Sequence, residues 1–330
     1  MELRTKVEPG RSSFFISYSD PVMFVGSCFA SEIGKKFEVG RMSVMINPAG
    51  TVYNPVSVIN TLNIILSGKV VGDADLHFND GRWLSLFHYT NFSSSDKQKV
   101  IDSINRSTYE ANLFLEKAKV LFITFGTARV YRFLETGAIV SNCHKISSNL
   151  FSRELLSVDN ITQMWEKQLD TLQTRYPGLK VVFTISPVRH WKDGAHGNQV
   201  SKSVLFLSIE NLLAHKTKPG YFPAFEIFMD ELRDYRFYDN DMLHPSSLAV
   251  DYIWEIFSEL YLDEKTRQYW REAEKITKAS KHRLINEEKT QVRQFAQNML
   301  DKISKLESSV QSIDLKAEKE YFSSLMEPRG

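Results

Sequence analysis

The sequence is short of cysteine, of long apolar runs and of any excess charge. Only Cys28 and Cys143 occur among 330 residues. Two thiols cannot build a disulfide framework, and their scarcity points to a reducing compartment. No run reaches the roughly 18 consecutive apolar residues that a membrane-spanning helix needs, so no membrane partner is expected. The 41 basic and 40 acidic side chains leave a formal charge of +1. That balance excludes both nucleic-acid binding through bulk electrostatics and an acidic solvating chain. Near the start, Arg4, Lys6 and Arg11 precede the apolar Phe14–Ile16, but Ser17, Tyr18, Ser19, Asp20 and Pro21 interrupt it. A secretory leader needs about 7–15 unbroken apolar residues, so a cytoplasmic protein is expected. No Gly-x-Gly-x-x-Gly follows the first strand, and neither a P-loop nor a His-Glu-x-x-His motif occurs. Dinucleotide and nucleotide-phosphate chemistry are thereby excluded, and no cofactor is expected.

Short apolar runs read as buried strands: Val22–Val25, Ser43–Ile46, Val120–Phe125 and Val181–Ile185, with a weaker fifth at Ala224–Phe228. Runs without polar alternation suit strands covered on both faces. Helical spacing lies between them: Phe29, Ile33 and Phe37; Ile101, Ile104, Tyr109 and Leu113; Met164, Leu169 and Leu172. After the fifth run, Leu248, Tyr252, Ile253, Ile256, Phe257 and Leu260 make a strong amphipathic pattern. Alternating strands and helices mean an α/β fold with a parallel sheet. From Asp263 the chain becomes charge-rich and has no glycine or proline before Pro328. This divides it into residues 1–262, the α/β domain, and 263–330, a charged helical extension. Val292, Phe295, Met299, Ile303 and Leu306 predict a long helix there. That helix either lies on the main domain or joins a partner, a second copy making a homo-oligomer.

In an open parallel sheet, ligands bind at the carboxyl ends of the strands, so the residues just after each run matter most. Gly26-Ser27-Cys28-Phe29-Ala30 turns from the first strand into a helix. A hydroxyl and a thiol therefore sit among free backbone N–H groups that stabilise an anion. The plainer reading has Ser27 capping the helix and Cys28 packed as a small apolar residue. Gly126 and Thr127 repeat the glycine–hydroxyl theme after the third strand. Asp241-Met242-Leu243-His244-Pro245 opens the amphipathic helix, with Asp241 spaced to orient the His244 imidazole as a general base. Nucleophile, backbone donors and Asp-x-x-His together match the roles of acyl transfer.

At these residues the sequence resembles the GSCFA family, a branch similar to the SGNH (GDSL-like) hydrolases. The resemblance runs through Gly26-Ser27-Cys28-Phe29-Ala30, Asn47-Pro48-Ala49-Gly50, Phe125-Gly126-Thr127-Ala128 and Asn142-Cys143-His144-Lys145. It continues in Ser186-Pro187-Val188-Arg189-His190, Asn198, Ser201-Lys202, Tyr221 to Glu226 and Leu232 to Pro245, covering residues 15–260. It implies a three-layer α/β/α sandwich with a flavodoxin-like parallel sheet. It also implies a nucleophile after the first strand, oxyanion donors after the second and third, and an Asp-x-x-His pair after the fifth. Carried onto this chain, Cys28 or Ser27 is the nucleophile, His244 the base and Asp241 its orienting acid. Gly50, Gly126 and Thr127 are the oxyanion candidates. The sequence departs from the SGNH pattern twice: Gly26-Ser27-Cys28 replaces Gly-Asp-Ser, and the oxyanion Asn is missing, with Thr127, Asn142 or Asn198 as its substitutes.

Asn142, His144 and Lys145 read as a substrate loop, alongside Arg189, His190 and Asn198 after the fourth strand. Arg189 either clamps an anion or pairs with Asp234 or Glu226. Arg233-Asp234-Tyr235-Arg236 reads as an architectural charge network. No metal is expected, because Cys143 and His144 are adjacent and lack a second ligand pair. The expected function is hydrolysis of an acyl ester, a small-molecule or carbohydrate O-acetyl ester. An acyltransferase using the same residues and a non-catalytic binding protein are the alternatives.

Overall fold

The computed structural model describes residues 5–281 and 289–326. Its centre is a five-stranded parallel sheet made of β1 (Val22–Gly26), β2 (Val44–Ile46), β5 (Val120–Phe125), β9 (Lys180–Ile185) and β10 (Gly220–Phe222). The spatial order is β10-β9-β5-β1-β2, all pairs being parallel. Numbering these five strands by chain order gives 2-1-3-4-5, the flavodoxin-like order, whose topological switch point lies between β1 and β5.

Alternate residues of the central strands feed two cores. Phe24, Phe122, Val182 and Phe222 face α1 (Cys28–Val39) and α7 (Ser247–Tyr261). Met23, Val25, Leu121, Ile123, Phe125 and Phe183 face the other layer. That layer comprises α2 (Pro55–Ser67), α3 (Lys97–Leu115), α4 (Val158–Arg175) and α5 (Gly194–Leu213). Both faces are covered, which is why these strands read as unbroken apolar runs. Two antiparallel additions had no distinct sequence signal: the hairpin β3 (His77–Asn79) with β4 (Arg82–Leu84), and the sheet β7-β6-β8. The latter consists of β6 (Arg129–Phe133), β7 (Ile139–Val140) and β8 (Phe151–Leu155).

The fifth strand differs from expectation. Residues 220–222 pair with β9, Tyr221 opposite Phe183, whereas 224–228 is helical: α6 (Ala224–Glu226) runs into a π-turn at Ile227–Glu231. Pro223 has no N–H to extend a ladder, and the helical turns bury Phe225 and Phe228 in opposite cores. Helix faces also shift in detail. Tyr109, Leu113 and Leu248 are exposed, while Thr108, Ala111, Leu115 and Trp254 are buried.

The charged C-terminal part folds as α8 (Glu264–Lys281), α9 (Lys289–Ser309) and α10 (Lys316–Ser324). Its apolar stripe is covered within the chain: Ala273, Ile276, Ala296, Ile303 and Phe322 share the core of Phe37, Trp254 and Phe257. Trp270 fastens it, donating Nε1–H to Lys36 O at 2.7 Å and lying 5.0 Å from the Trp254 ring. Among the described residues no helix is long and apolar enough to cross a membrane.

Candidate active site

The turn after β1 is built by backbone constraints. Gly26 has φ +144°, and a Cβ there would lie 2.2 Å from Thr124 O on the neighbouring strand, so only glycine fits. Its N–H donates to Asn47 Oδ1 at 2.8 Å, and its carbonyl accepts from Val52 N at 3.0 Å. Ser27 then caps α1, its Oγ accepting from Phe29 N at 3.3 Å. With 1 % exposure, its hydroxyl is sealed and occupied. Cys28, the first helical residue, remains partly exposed. Of the two candidate nucleophiles, the thiol is the one that reaches the surface.

Several groups act on that thiol. Burial pushes its pKa above the ordinary value, with Glu32 adding to the effect. The N–H groups of Phe29 and of Cys28 itself, and the Lys202 ammonium, oppose the rise. Lys202 extends from α5 into the interior, fully buried, and donates Nζ–H to Ser186 O at 2.7 Å. Burial pulls its pKa down to about 7, with Arg189 acting in the same direction and Cys28 against it. Among the described residues it has no acidic partner. A fully buried lysine without an acidic partner, whose charge acts on a thiol, is the kind of perturbed group that gathers at functional sites. Nothing local in the sequence distinguishes Lys202 from an exposed helix lysine.

The Asp-x-x-His element forms a tight, exposed loop. Asp241 Oδ1 accepts from the amides of Leu243 and His244, both at 2.9 Å, and Oδ2 meets His244 Nδ1 at 2.5 Å. The two amides and then the ring hold the Asp241 carboxyl down to about 2. His244 thus has Nδ1 engaged and Nε2 open. Among the described residues no hydrogen bond joins it to Cys28 or Ser27.

A second imidazole, His190, feels the charges of both Lys202 and His244. His190 is held through its backbone N–H by Asn198 Oδ1 at 2.9 Å, and its ring meets Tyr53 edge-on at 5.5 Å. Its Nε2 lies 2.9 Å from where a Cβ on Gly126 would be, so glycine at the end of β5 makes room for the ring. Burial, then the charges of Lys202, Arg153 and His244, pull its pKa down to about 4, leaving it neutral at pH 7. Tyr53 in turn feels Cys28 and shares a side-chain hydrogen bond with Tyr89. Asn198, buried on α5, leaves Nδ2 without a partner.

The remaining expected residues are distributed unevenly. The amide of Gly50 donates to Asn47 O at 2.7 Å, and those of Gly126 and Thr127 to Tyr53 O at 2.7 and 3.0 Å. The Thr127 hydroxyl meets Ser201 Oγ at 2.9 Å. These candidate oxyanion donors are therefore engaged within the protein, whereas the Cys28 N–H has no backbone acceptor among the described residues. In the 142–145 loop, Asn142 Nδ2 donates to Thr90 Oγ1 at 3.1 Å and His144 Nε2 meets Ser85 O at 2.8 Å. Lys145 is exposed. Through Thr90, Asn142 contacts the segment that carries Tyr89, the hydrogen-bond partner of Tyr53. Arg189 makes no ion pair among the described residues; Asp234 pairs with Arg236 at 2.8 Å and Glu226 accepts from Tyr221 at 2.8 Å. Among the described residues no group of three or more His, Cys, Asp or Glu could hold a metal ion.

Comparison with known proteins identifies the family. The GSCFA family matches residues 21–257, and the family described as GSCFA domain protein, C-terminal domain, matches residues 273–328. No curated protein matches the chain. A solved structure from Streptococcus pneumonia, provisionally described as a platelet activating factor, is 12 % identical with a TM-score of 0.38. That match covers 74 % of this chain and 85 % of the other.

Proposed function

This chain belongs to the GSCFA family, and from that premise we propose that it is an acyl-ester hydrolase with Cys28 as nucleophile. The observation that carries the reading is the partly exposed Cys28 thiol at the N-terminus of α1, at the switch point of a 2-1-3-4-5 sheet. Support also comes from the Asp241–His244 pair, whose imidazole is oriented at Nδ1 and open at Nε2. Because burial raises the Cys28 pKa, the thiol needs a base at neutral pH. His244 Nε2 takes the proton as Sγ bonds to the ester carbonyl carbon. The tetrahedral intermediate collapses, the C–O bond breaks, and the imidazolium returns the proton to the leaving alcohol. Water, deprotonated by His244, then attacks the thioester, releasing the carboxylic acid and restoring the thiol.

The substrate class is an O-acyl, above all O-acetyl, carbohydrate. In favour of a sugar is Trp191, next to His190 and 51 % exposed, which offers an apolar ring face beside polar donors. Arg189 lies 5.5 Å from that ring. The test is peptide mass mapping after brief exposure to an activated short-chain acyl ester, with unfolded protein as the reactivity control. A native-specific acyl adduct on Cys28 is expected, lost in Cys28→Ala. Equal labelling of native and unfolded chains would sink the reading and favour a binding protein.

A further inference from the structure

The acyl-transfer reading leaves an energetic gap. When Sγ bonds to the carbonyl carbon, the π electron pair moves onto oxygen, and that oxyanion needs preorganised donors. The Cys28 N–H has no backbone acceptor among the described residues, but the amides of Gly50, Gly126 and Thr127 are spent on Asn47 O and Tyr53 O. One donor is too few for a site built on charge stabilisation.

Strand register locates a second donor. Gly26 pairs with Thr124 and Ser27 N–H donates to Thr124 O at 3.1 Å, so the turn that carries Cys28 leaves β1 beside the end of β5, which Gly126 follows. The group lying over Gly126 is His190, with Nε2 2.9 Å from the position of an added Cβ. Asn198 Oδ1 holds the His190 backbone, and Tyr53, whose hydroxyl feels Cys28, packs edge-on against the ring. We propose that His190 is a catalytic residue of this site, a neutral imidazole that donates its Nε2–H to the oxyanion and transfers no proton. The inference rests on the Cys28 acyl-transfer reading.

Three features fit a donor rather than a second base. The ring is kept neutral by burial and by the nearby cations, and a neutral imidazole carries one N–H. Among the described residues, no carboxylate contacts the ring to stabilise an imidazolium, in contrast to His244, which has Asp241. The glycine beneath it makes room: Gly126 is not in the positive-φ class, and a Cβ there would press first on the ring, at 2.9 Å, and then on Tyr53 O, at 3.2 Å.

The test compares wild type, His190→Ala and His190→Gln in hydrolysis of an activated acetyl ester, with the melting temperature of each and the pH dependence of kcat. A donor role predicts that His190→Ala lowers kcat by about 10²–10³ with KM little changed, and that His190→Gln, which keeps an N–H, recovers part of it. The shape of the pH–kcat profile should persist in both variants. Gly126→Ala, which displaces the ring, should lower kcat in the same way. Unchanged kcat in a folded His190→Ala would overturn the proposal, as would a loss confined to KM. Equal loss in Ala and Gln with disappearance of the basic limb would make His190 a proton carrier instead. If wild type itself neither acylates nor hydrolyses, the acyl-transfer reading falls and the proposal with it; an active wild type indifferent to His190 rejects the proposal alone.

Discussion

Asn47 bridges the nucleophile turn to the helix that follows it: Oδ1 accepts from Gly26 N–H at 2.8 Å and Nδ2 donates to Ser31 Oγ at 2.8 Å. One side chain at the end of β2 thereby sets the angle at which α1 leaves β1, and so where the Cys28 thiol points.

Asn47→Ala should therefore affect both stability and reactivity. The buried Gly26 amide would lose its acceptor, at a cost of about 1–3 kcal/mol. Urea unfolding should record that loss, and the native-specific acylation of Cys28 should slow even in the fraction that remains folded. Asn47→Asp, which keeps the acceptor, should recover most of the stability. A neutral effect of Asn47→Ala would mean that the turn is held by backbone bonds alone.

The Asp241 carboxyl gives a pH-dependent prediction. Its folded pKa is depressed from 3.8 to about 2, so the stabilisation of the loop is complete above the unfolded value and lost as pH falls through the folded one. The 240–246 loop should loosen between about pH 4 and pH 2 and be indifferent above that window. An NMR titration of the Asp241 side-chain carbon should show the low midpoint, whereas a midpoint near 4 would mean that the pair with His244 does not persist in solution. Asp241→Asn should reduce kcat for ester hydrolysis by about 10² or more, through loss of the oriented base.

Lys202 gives the same sign of pH dependence in a higher pH window. With a folded pKa of about 7 against 10.5 unfolded, the unfolded chain holds the extra proton between those values, so this group makes stability rise with pH across that range. Lys202→Met removes the titration. Its stability relative to wild type should be most favourable at pH 7 and decline toward pH 10, as measured by denaturant midpoints at the two pH values. A pH-independent difference would show that the ammonium is not desolvated as described.

The C-terminal helices should prove inseparable from the α/β layers. Trp270 is 8 % exposed, and the indole occupies the space that a Cβ on Gly40 would need, 1.9 Å from its Cδ1. Trp270→Ala should cost about 3–5 kcal/mol, and a chain ending at Leu262 should aggregate because the Phe37–Trp254–Phe257 face is uncovered. A monomeric, cooperatively melting 1–262 fragment would contradict this.

Much of this arrangement was legible in the sequence. Unbroken apolar runs are the direct record of strands buried on both faces, and the Gly26–Cys28 turn and the Asp241–His244 spacing are local features whose chemistry follows from residue type. What stayed hidden was of two kinds. The 224–228 run is as apolar as a strand, and only Pro223 and the demand for burial on two sides of a helix make it helical. Lys202 looks like an ordinary polar residue along the chain, and His190, read as a substrate residue, carries no sign of its place over Gly126.

Sequence alone determined the α/β class, the thiol at a helix start and an acid three residues from an imidazole, because these depend on periodicity and short-range spacing. Only the tertiary structure decided that Ser27 is sealed and Cys28 open, that the Gly50, Gly126 and Thr127 amides are engaged, and that His190 lies over Gly126. Those outcomes depend on which strands become neighbours. Sheet order joins residues dozens of positions apart, and burial then sets the charge state of each side chain that meets there.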